Sequence, residues 1–185
     1  MSDLPFSLDP HRQPAANSAS TEQHREEAPA SVAVAVLTIS DTRTPDDDRS
    51  GQLIKQQLTW RGHDLRDYAI VKDDATEIET ILHAWIGRED IRAIVTNGGT
   101  GIARRDTTYE VVARMLEKEL TGFGELFRML SYPEIGAAAM LSRAIAGVAS
   151  HTAIFCLPGS SNAVKLGMEK LIAPELAHVV YEMTK

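Results

Sequence analysis

The residues best placed to do chemistry lie between Ile91 and Thr108, in a stretch that ends TNGGTGIARRDTT. It starts as a short apolar run, typical of a strand buried on both faces, and then breaks into a Gly-rich turn made of Asn97, Gly98, Gly99, Thr100 and Gly101. Glycine lets main-chain N–H groups approach an anion closely, and the helix predicted to follow adds unpaired N–H groups and the positive end of its dipole. The stretch therefore suits phosphate, although many strands that end in Gly-Gly form only a tight turn.

Asp106 lies directly after this turn. Thr107, three residues before Glu110, predicts a capping box that starts a helix from Thr108 to Lys118 and holds Asp106 at the rim of a pocket. A carboxylate beside a phosphate site is repulsive unless a divalent cation lies between them, so Asp106 is a candidate Mg²⁺ ligand. Neither G-x-G-x-x-G nor the P-loop pattern fits the turn, which argues against a dinucleotide-dependent oxidoreductase.

The composition limits the classes of function. The chain has 185 residues and a formal net charge of −7, which argues against binding to nucleic acid or to an anionic membrane, since both require a basic face. No secretory leader is recognisable and no apolar run is long enough to span a bilayer, so we expect a cytoplasmic protein with a small ligand. The single cysteine, Cys156, lies in an apolar run and is expected in the core.

The first part of the chain differs in composition from the rest. Residues 1–31 mix Pro, Ser, Gln, Glu and Ala and have almost no periodic apolar residue after Leu8. Such a segment cannot bury enough apolar surface to order itself, so we predict a flexible tail, with an arm that docks on a neighbouring subunit as the alternative. Residues 32–185 are expected to form one domain.

Strand-like and helix-like segments alternate through this domain. Apolar runs predict strands at Val32 to Ile39, Asp64 to Val71, Ile91 to Val95, Ser142 to Ala149 and His151 to Leu157. Helical spacing predicts helices at Arg49 to Arg61, Ala75 to Gly87, Thr108 to Lys118, Leu126 to Leu130, Pro133 to Leu141, Ala163 to Ile172 and Glu175 to Met183. The alternation predicts an α/β fold of three layers, with a mostly parallel sheet and helices on both faces.

Polar residues follow four of the predicted strands at their carboxyl ends, where ligands bind in open α/β sheets. We therefore expect four turns to converge on one edge of the sheet, and these contain Ser40, Asp73, Gly98 to Asp106 and Gly159 to Asn162.

Several acidic residues in these turns have a simpler explanation. Asp46 and Asp47 suit a solvated helix N-terminus, and N-cap chemistry explains one residue of the pair Asp73 and Asp74. Asp48 stays open as a site residue.

Taken in order, these motifs resemble the MoaB/MogA family of molybdenum cofactor biosynthesis proteins, and the MoaB branch more than the MogA branch. The resemblance covers essentially everything from Val32 onward. It is carried by Ser40-Asp41, Asp48 to Gly51, the TNGGTG turn with Arg104 to Asp106, Gly122 to Gly136, Ser142 to Val148 and Leu157 to Lys165. Each motif alone is weak, and their order and spacing make the match strong.

The resemblance implies a molybdopterin-binding fold and, for active members, adenylation of molybdopterin with Mg-ATP and release of pyrophosphate. It implies catalytic roles, and Mg²⁺ binding, for Asp73 and Asp106. The substrate-binding residues that it implies are Ser40, Asp41, Asp48, Gly98, Gly99, Thr100, Gly101, Ser131, Gly159, Ser160 and Asn162.

The resemblance leaves an alternative, because not all members of the MoaB branch are thought to be active. A non-catalytic protein that binds or carries molybdopterin, or a scaffold of the same pathway, would keep the fold without turnover. The retained Asp41, Asp73 and Asp106 favour the enzyme.

Family members assemble as trimers and the MoaB branch as hexamers, so the resemblance implies a homo-oligomer, with a hexamer favoured. Candidate interface residues, which a core role would explain equally well, are Phe123, Phe127, Met129 and Leu130.

Overall fold

The structure, a computed structural model, describes residues 19–185 of the chain. Its strands are β1 (Ala33–Ile39), β2 (Asp64–Val71), β3 (Ala93–Asn97), β4 (Lys118–Glu119), β5 (Ile145–Ala149) and β6 (Thr152–Leu157). Its helices are α1 (Ala19–Glu27), α2 (Arg49–Trp60), α3 (Ala75–Ile86), α4 (Thr108–Met115), α5 (Thr121–Ile135), α6 (Ser161–Gly167) and α7 (Ala173–Met183). A 3₁₀ segment, Gly136–Leu141, follows α5, and a π-helical turn, Met168–Ile172, joins α6 to α7. Within the described residues, no helix is long and apolar enough to cross a bilayer.

The strands form one six-stranded sheet in the order β2-β1-β3-β6-β5-β4. The first four strands in this order run parallel, whereas β5 is antiparallel to β6 and β4 is antiparallel to β5. Only Ser150 and His151 separate β5 from β6, and so short a connection can join only antiparallel neighbours. The sheet is therefore mostly parallel, as predicted. The two-residue strand β4 was not predicted, because it is too short to show a periodic pattern.

Two hydrophobic cores lie on opposite faces of the sheet. Successive side chains of a strand point to opposite faces, so Val34 and Val36 of β1 enter one core while Leu37 and Ile39 enter the other. Helices α2, α5, α6 and α7 cover the first core, and α3 and α4 cover the second. This arrangement confirms the three-layer α/β architecture. Cys156 is fully buried in the second core, where burial raises its pKa to about 12.

The N-terminal segment contains a helix that the sequence did not predict. The part of the predicted tail before Ala19 lies outside the described residues, but α1 packs against α7 of the same chain. Its contacts are polar: Arg25 pairs with Glu175, and the Tyr181 hydroxyl donates a hydrogen bond to Glu27. An apolar periodicity could not reveal α1, because charged and polar side chains make these contacts.

The region from Thr121 to Leu141 also differs from the prediction. Two separate helices starting at Leu126 and Pro133 were expected, but α5 is continuous from Thr121 and contains Pro133 in its last turn. A Cβ atom at Gly124 would lie 2.7 Å from the carbonyl oxygen of Ala144, so this glycine allows α5 to approach the strand region closely. Of the predicted interface residues, Phe123 and Phe127 are buried in the core and Leu130 is half-buried, which leaves Met129, 47% exposed, as the exposed member of that set.

Candidate active site

A cleft of about 400 Å³ lies at the carboxyl ends of the parallel strands. The four predicted turns all contribute to it, which confirms that they converge on one edge of the sheet. From the predicted site, the cleft is lined by Ser40, Asp41, Asp73, Gly98, Gly99, Thr100, Gly101, Asp106 and Gly159. It is also lined by residues that were not predicted as site residues, namely Ile39, Thr42, Arg43, Asn97, Arg105, Leu141, Ser142 and Pro158.

The Gly-rich turn after β3 requires glycine for two reasons. Gly98 and Gly99 have positive φ angles of 100° and 62°, a region that other residues rarely adopt. Space is also limited, since a Cβ atom at Gly99 would lie 2.7 Å from Oδ2 of Asp73 and would meet the hydroxyl of Thr108. A Cβ atom at Gly159 would lie 3.0 Å from Cα of Gly98, so the turns after β3 and β6 meet backbone to backbone.

Arg143 orients the backbone of this turn. Its Nε donates to the carbonyl oxygen of Thr100 at 2.8 Å, and its NH2 donates to the carbonyl oxygen of Gly101 at 2.8 Å. In a trans peptide the C=O and N–H point in opposite directions. Because Arg143 binds the carbonyl groups of Thr100 and Gly101, the N–H groups of Gly101 and Ile102 point away from Arg143. Arg143 itself does not line the cleft. No described residue accepts a hydrogen bond from the N–H groups of Gly99, Thr100, Gly101 or Ile102. Such a row of unpaired N–H groups suits an anion.

Asp73 is held at the cleft by the start of α4. Its Oδ1 accepts hydrogen bonds from the backbone N–H and the hydroxyl of Thr107, at 3.1 and 3.0 Å. The predicted capping box is therefore wrong: Thr107 makes no cap hydrogen bond, and Glu110 instead pairs with Arg143. Helix α4 begins at Thr108 as predicted but ends at Met115, before the predicted Lys118.

Asp106 and Asp41 also line the cleft. Oδ2 of Asp106 accepts the backbone N–H of Ala103 at 3.0 Å, which closes the loop between the Gly-rich turn and α4. Asp41 accepts the backbone N–H of Asp73 at 3.1 Å through Oδ1, and its Oδ2 lies 3.3 Å from the Arg105 guanidinium. Among the described residues, none donates a hydrogen bond to Oδ2 of Asp73 or to Oδ1 of Asp106. Two carboxylate oxygens near an anion site match the preference of a hard divalent cation.

Asp48 does not line the cleft. It is fully buried at the N-terminus of α2 and accepts hydrogen bonds from Thr38, Tyr68 and the backbone of Gly51, at 2.6, 2.7 and 3.0 Å. Burial raises its pKa, but these hydrogen bonds and the Arg43 guanidinium outweigh that effect and hold the pKa of Asp48 below its ordinary value. Its contribution to the site is indirect, through Arg43, whose NH1 lies 3.1 Å from Oδ1 of Asp48.

Three other predicted residues also lie outside the cleft lining. Ser131 is buried in α5, and its hydroxyl donates to the carbonyl of Phe127 one turn earlier at 2.7 Å. The hydroxyl of Ser160 caps α6 by accepting the N–H of Ala163 at 3.2 Å. Asn162 is exposed in the first turn of α6. Local helix geometry therefore accounts for the positions of the two serines.

The arginines around the cleft were missed as site residues. Arg43 lies beside the turn after β6, with its NH2 3.4 Å from the carbonyl oxygen of Gly159. Arg105 and Arg143 lie within motifs that carry the family resemblance and Arg43 lies two residues after Ser40-Asp41, and these positions are the signal that could have identified them. Their partners are separated from them by up to 116 residues, so the sequence alone gave no sign of what each one contacts.

Comparison with known proteins supports this description. The family model described as "Probable molybdopterin binding domain" matches residues 35–178, which is more than half of the chain. The chain belongs to the MoaB/MogA family of molybdenum cofactor biosynthesis proteins. The match includes the Gly-rich turn, all three cleft carboxylates and the three arginines.

Individual relatives agree with the MoaB branch. The chain is 58% identical over 167 residues to molybdenum cofactor biosynthesis protein B of Halalkalibacterium halodurans, covering 90% of this chain and 98% of that protein. It is 53% identical over 167 residues to the protein of the same name from Bacillus subtilis, with the same coverage.

Solved structures of the family share the fold. A crystal structure of molybdenum cofactor biosynthesis protein B superposes with a TM-score of 0.82 at 51% identity, covering 85% of this chain and 98% of that one. The tungsten cofactor synthesizing protein MoaB from Pyrococcus furiosus superposes with a TM-score of 0.78 at 39% identity, covering 85% of this chain and all of that one. The chain therefore has the MoaB/MogA fold, and its family is that of molybdenum cofactor biosynthesis proteins.

Proposed function

We propose that this protein is a molybdopterin adenylyltransferase, which transfers the adenylyl group of ATP to the terminal phosphate of molybdopterin. The observation that carries the proposal is the arrangement in the cleft. A row of backbone N–H groups that are unpaired among the described residues lies beside Asp73 and Asp106, and each of these aspartates has one oxygen that accepts no hydrogen bond from a described residue. Membership of a family described as molybdopterin-binding supports molybdopterin as one substrate. The anion-binding turn supports the binding of a nucleotide phosphate.

In the proposed reaction, a phosphate oxygen of molybdopterin attacks the α-phosphorus of ATP. A new P–O bond forms, the bond between the α-phosphorus and the bridging oxygen to the β-phosphate breaks, and pyrophosphate leaves with that electron pair. Both partners are anionic, so the protein must bring them together and compensate for charge in the transition state. The unpaired N–H groups of the turn bind phosphate oxygens, while Arg43 and Arg105 supply positive charge in the same cleft.

The residues present fit Mg²⁺. Oδ2 of Asp73 and Oδ1 of Asp106 are the free oxygens that would hold the ion, and hard carboxylate oxygens are the ligands that Mg²⁺ prefers. When bound, Mg²⁺ neutralises the negative charge of the triphosphate and of the leaving pyrophosphate. Thr107 keeps Asp73 in place through two hydrogen bonds, and Ala103 does the same for Asp106 through one.

The first experiment is to incubate the purified protein with molybdopterin and Mg-ATP and to quantify adenylated molybdopterin and pyrophosphate. We expect both products from the wild type and a loss of at least about 100-fold in Asp106→Asn, because an amide is a poor ligand for a hard cation. Asp46→Asn, in the exposed loop before α2, is the matched control and should retain turnover.

The same experiment separates the alternatives. A wild-type protein that binds molybdopterin but forms no product would be a non-catalytic carrier. A folded protein that does not bind molybdopterin would be a scaffold of the pathway. Either result would overturn the adenylyltransferase proposal.

We also propose that the protein forms a homo-oligomer, with a hexamer favoured. The surface of α5 and the following 3₁₀ segment exposes a group of large apolar side chains, Leu126, Met129, Ile135, Met140 and Leu141. Exposed apolar surface of this kind favours burial against another subunit. Light scattering of the wild type should give a mass above that of the 20.2 kDa chain, and Met129→Glu should lower it. A monomeric wild type would contradict this part of the proposal.

A further inference from the structure

Two histidines and a glutamate that do not line the cleft meet where α1 packs on α7. His178 and Glu182 lie one turn apart on α7, and His24 comes from α1. Nδ1 of His24 is 2.9 Å from Oε1 of Glu182, and Nε2 of His178 is 3.6 Å from the same oxygen. All three candidate ligand atoms lie within 4.8 Å of one another. The cluster has no role in the proposed adenylyl transfer.

We propose that His24, His178 and Glu182 bind a divalent transition-metal ion of the zinc class, which joins α1 to α7. Two imidazoles and one carboxylate form a common protein ligand set for zinc, with a fourth position left for water. Tetrahedral zinc with bonds of about 2.0–2.2 Å needs ligand atoms about 3.3–3.5 Å apart. The separations of 2.9 and 3.6 Å from Glu182 bracket this value, and the two histidine nitrogens lie within 4.8 Å of each other, so side-chain rotations can bring the three atoms to the spacing that zinc needs.

A neighbouring carboxylate prepares His178 for this role. Oε2 of Glu175 lies 3.0 Å from Nδ1 of His178, and Glu175 is itself paired with Arg25 of α1. A hydrogen bond from Nδ1–H to the carboxylate leaves the lone pair on Nε2, which is the nitrogen that faces Glu182. Protein metal sites commonly use such a carboxylate to fix the tautomer and raise the basicity of the ligand. The orientation of His178 therefore matches that of a metal ligand.

Lys185 is the natural competitor for the site. Its ammonium group lies 2.7 Å from Oε1 of Glu182 and 3.2 Å from Nε2 of His24, so it supplies positive charge where the metal would bind. Its side chain is exposed and can turn away into solvent. Removal of the Lys185 charge should therefore strengthen zinc binding. If the cluster were only an ion-pair network, the same change would weaken the contacts between α1 and α7 and have no effect on zinc.

The test is a zinc titration of the chelator-treated full-length protein against a chromophoric chelator. Excess Mg²⁺ is kept present to occupy the cleft carboxylates, because Mg²⁺ competes poorly for imidazole. We expect one high-affinity zinc ion per chain. His24→Ala and His178→Ala should each weaken binding at least tenfold, since even the loss of an outer partner costs about 10–100-fold. His83→Ala, an exposed histidine on α3, is the matched control and should not change the affinity.

Two further variants separate metal binding from a structural role. Lys185→Met should tighten zinc binding by about fivefold, the effect of one like charge near the ion at a surface site, whereas Lys185→Arg should leave it unchanged. Melting curves recorded with a chelator establish that each variant is folded. Zinc should raise the melting temperature of the wild type and not that of His178→Ala.

Hydrogen exchange tests whether the ion joins the two helices. Zinc should slow exchange of the α1 amides in the wild type and leave them unchanged in His24→Ala. The proposal fails if zinc binds equally well to the wild type and to both histidine variants, or if no site tighter than about 100 µM is found. It also fails if zinc binds without any effect on α1.

Discussion

The carboxyl edge of the sheet holds one buried aspartate and two aspartates that line the cleft. At the end of β1, Asp48 is fully buried, and donors such as Thr38 and Tyr68 occupy its oxygens. Asp73, after β2, and Asp106, after the Gly-rich turn that follows β3, border the cleft, and each keeps one oxygen that accepts no hydrogen bond from a described residue. Both sets lie within the residues that the family model matches. The difference shows that the contacts of an aspartate, more than its place in a motif, decide whether it builds the site or acts in it.

The donors also differ. Three side chains from separate elements converge on Asp48, so its position depends on the packing of the whole β1 end. Asp73 and Asp106 are held mainly by residues of one loop, Thr107 and Ala103. The first arrangement is expected to matter most for stability and the second for turnover.

The largest effect on stability should come from Asp48→Ala. The free energy of unfolding should fall by about 3–5 kcal/mol, because the change removes a buried acceptor and leaves Thr38, Tyr68 and Arg43 without their partner. Asp106→Ala is the matched variant at the β3 end and should cost less than about 1 kcal/mol. Urea unfolding measures both. Equal losses of stability in Asp48→Ala and Asp106→Ala would contradict the structural role given to Asp48.

Turnover should respond most strongly to Gly99→Ala. A methyl group there meets Asp73 and Thr108, and a displacement of about 1 Å in a catalytic group can cost about 100-fold in rate. Gly62→Ala is a close control, because Gly62 also has a positive φ, 78°, but its added Cβ would meet no atom of the described residues within 4 Å. The positive φ should cost both variants about 1 kcal/mol of stability, the contacts with Asp73 and Thr108 should add to that loss in Gly99→Ala, and only Gly99→Ala should lose product formation. Similar turnover in the two variants would count against a catalytic role for the turn.

A smaller effect is expected from Arg143→Lys. A lysine cannot hold the carbonyl groups of Thr100 and Gly101 and the carboxylate of Glu110 at once, so the N–H groups of the turn lose their orientation. We expect kcat/KM for ATP to fall about tenfold, with most of the loss in kcat.

Glu110→Gln provides the control for Arg143. It removes the ion pair that holds the pKa of Glu110 below its ordinary value but leaves both carbonyl contacts in place. Steady-state kinetics should therefore show a much smaller loss than for Arg143→Lys. If Glu110→Gln is as damaging, the ion pair and not the carbonyl contacts controls the turn.

Elements with a strong local signal could be predicted from the sequence. β2 has the predicted boundaries, and α2 and α3 each end one residue earlier than predicted. Parallel topology then placed four polar turns on one edge of the sheet, including the turn that holds Asp106. Helix α1 could not be predicted, because charged partners on α7 hold it and no apolar stripe marks it.

Contacts between distant residues could not be predicted. The capping box failed because the Thr107 hydroxyl binds Asp73, which lies 34 residues earlier, and a local pattern cannot weigh such a competitor. Asp48 was included as a site residue for the same reason, since its burial depends on Tyr68, which lies 20 residues away on β2. The sequence therefore offered candidate acidic residues but could not show which of them line the cleft.

The smallest expected effect is the loss of stability in acid, which covers different pH ranges at the two ends of β1. At the amino end, Nδ1 of His63 lies 3.3 Å from the backbone nitrogen of Val32, and burial, aided by the charge of Arg61, lowers the pKa of His63 below its ordinary 6.5. The unfolded chain therefore binds this proton more readily than the folded chain, so stability should fall as the pH drops below 6.5.

At the carboxyl end of β1 acid also lowers the stability, but over a lower range of pH. The pKa of Asp48 in the folded chain lies below its ordinary 3.8, so Asp48 keeps its full contribution down to that pH and loses it only in stronger acid. In melting curves from pH 7 to pH 3, His63→Gln should flatten the slope just below pH 6.5 and leave the loss below pH 3.8 unchanged. Asp48→Asn should do the reverse. A His63→Gln variant with the wild-type slope would mean that acid does not act first at the amino end of β1.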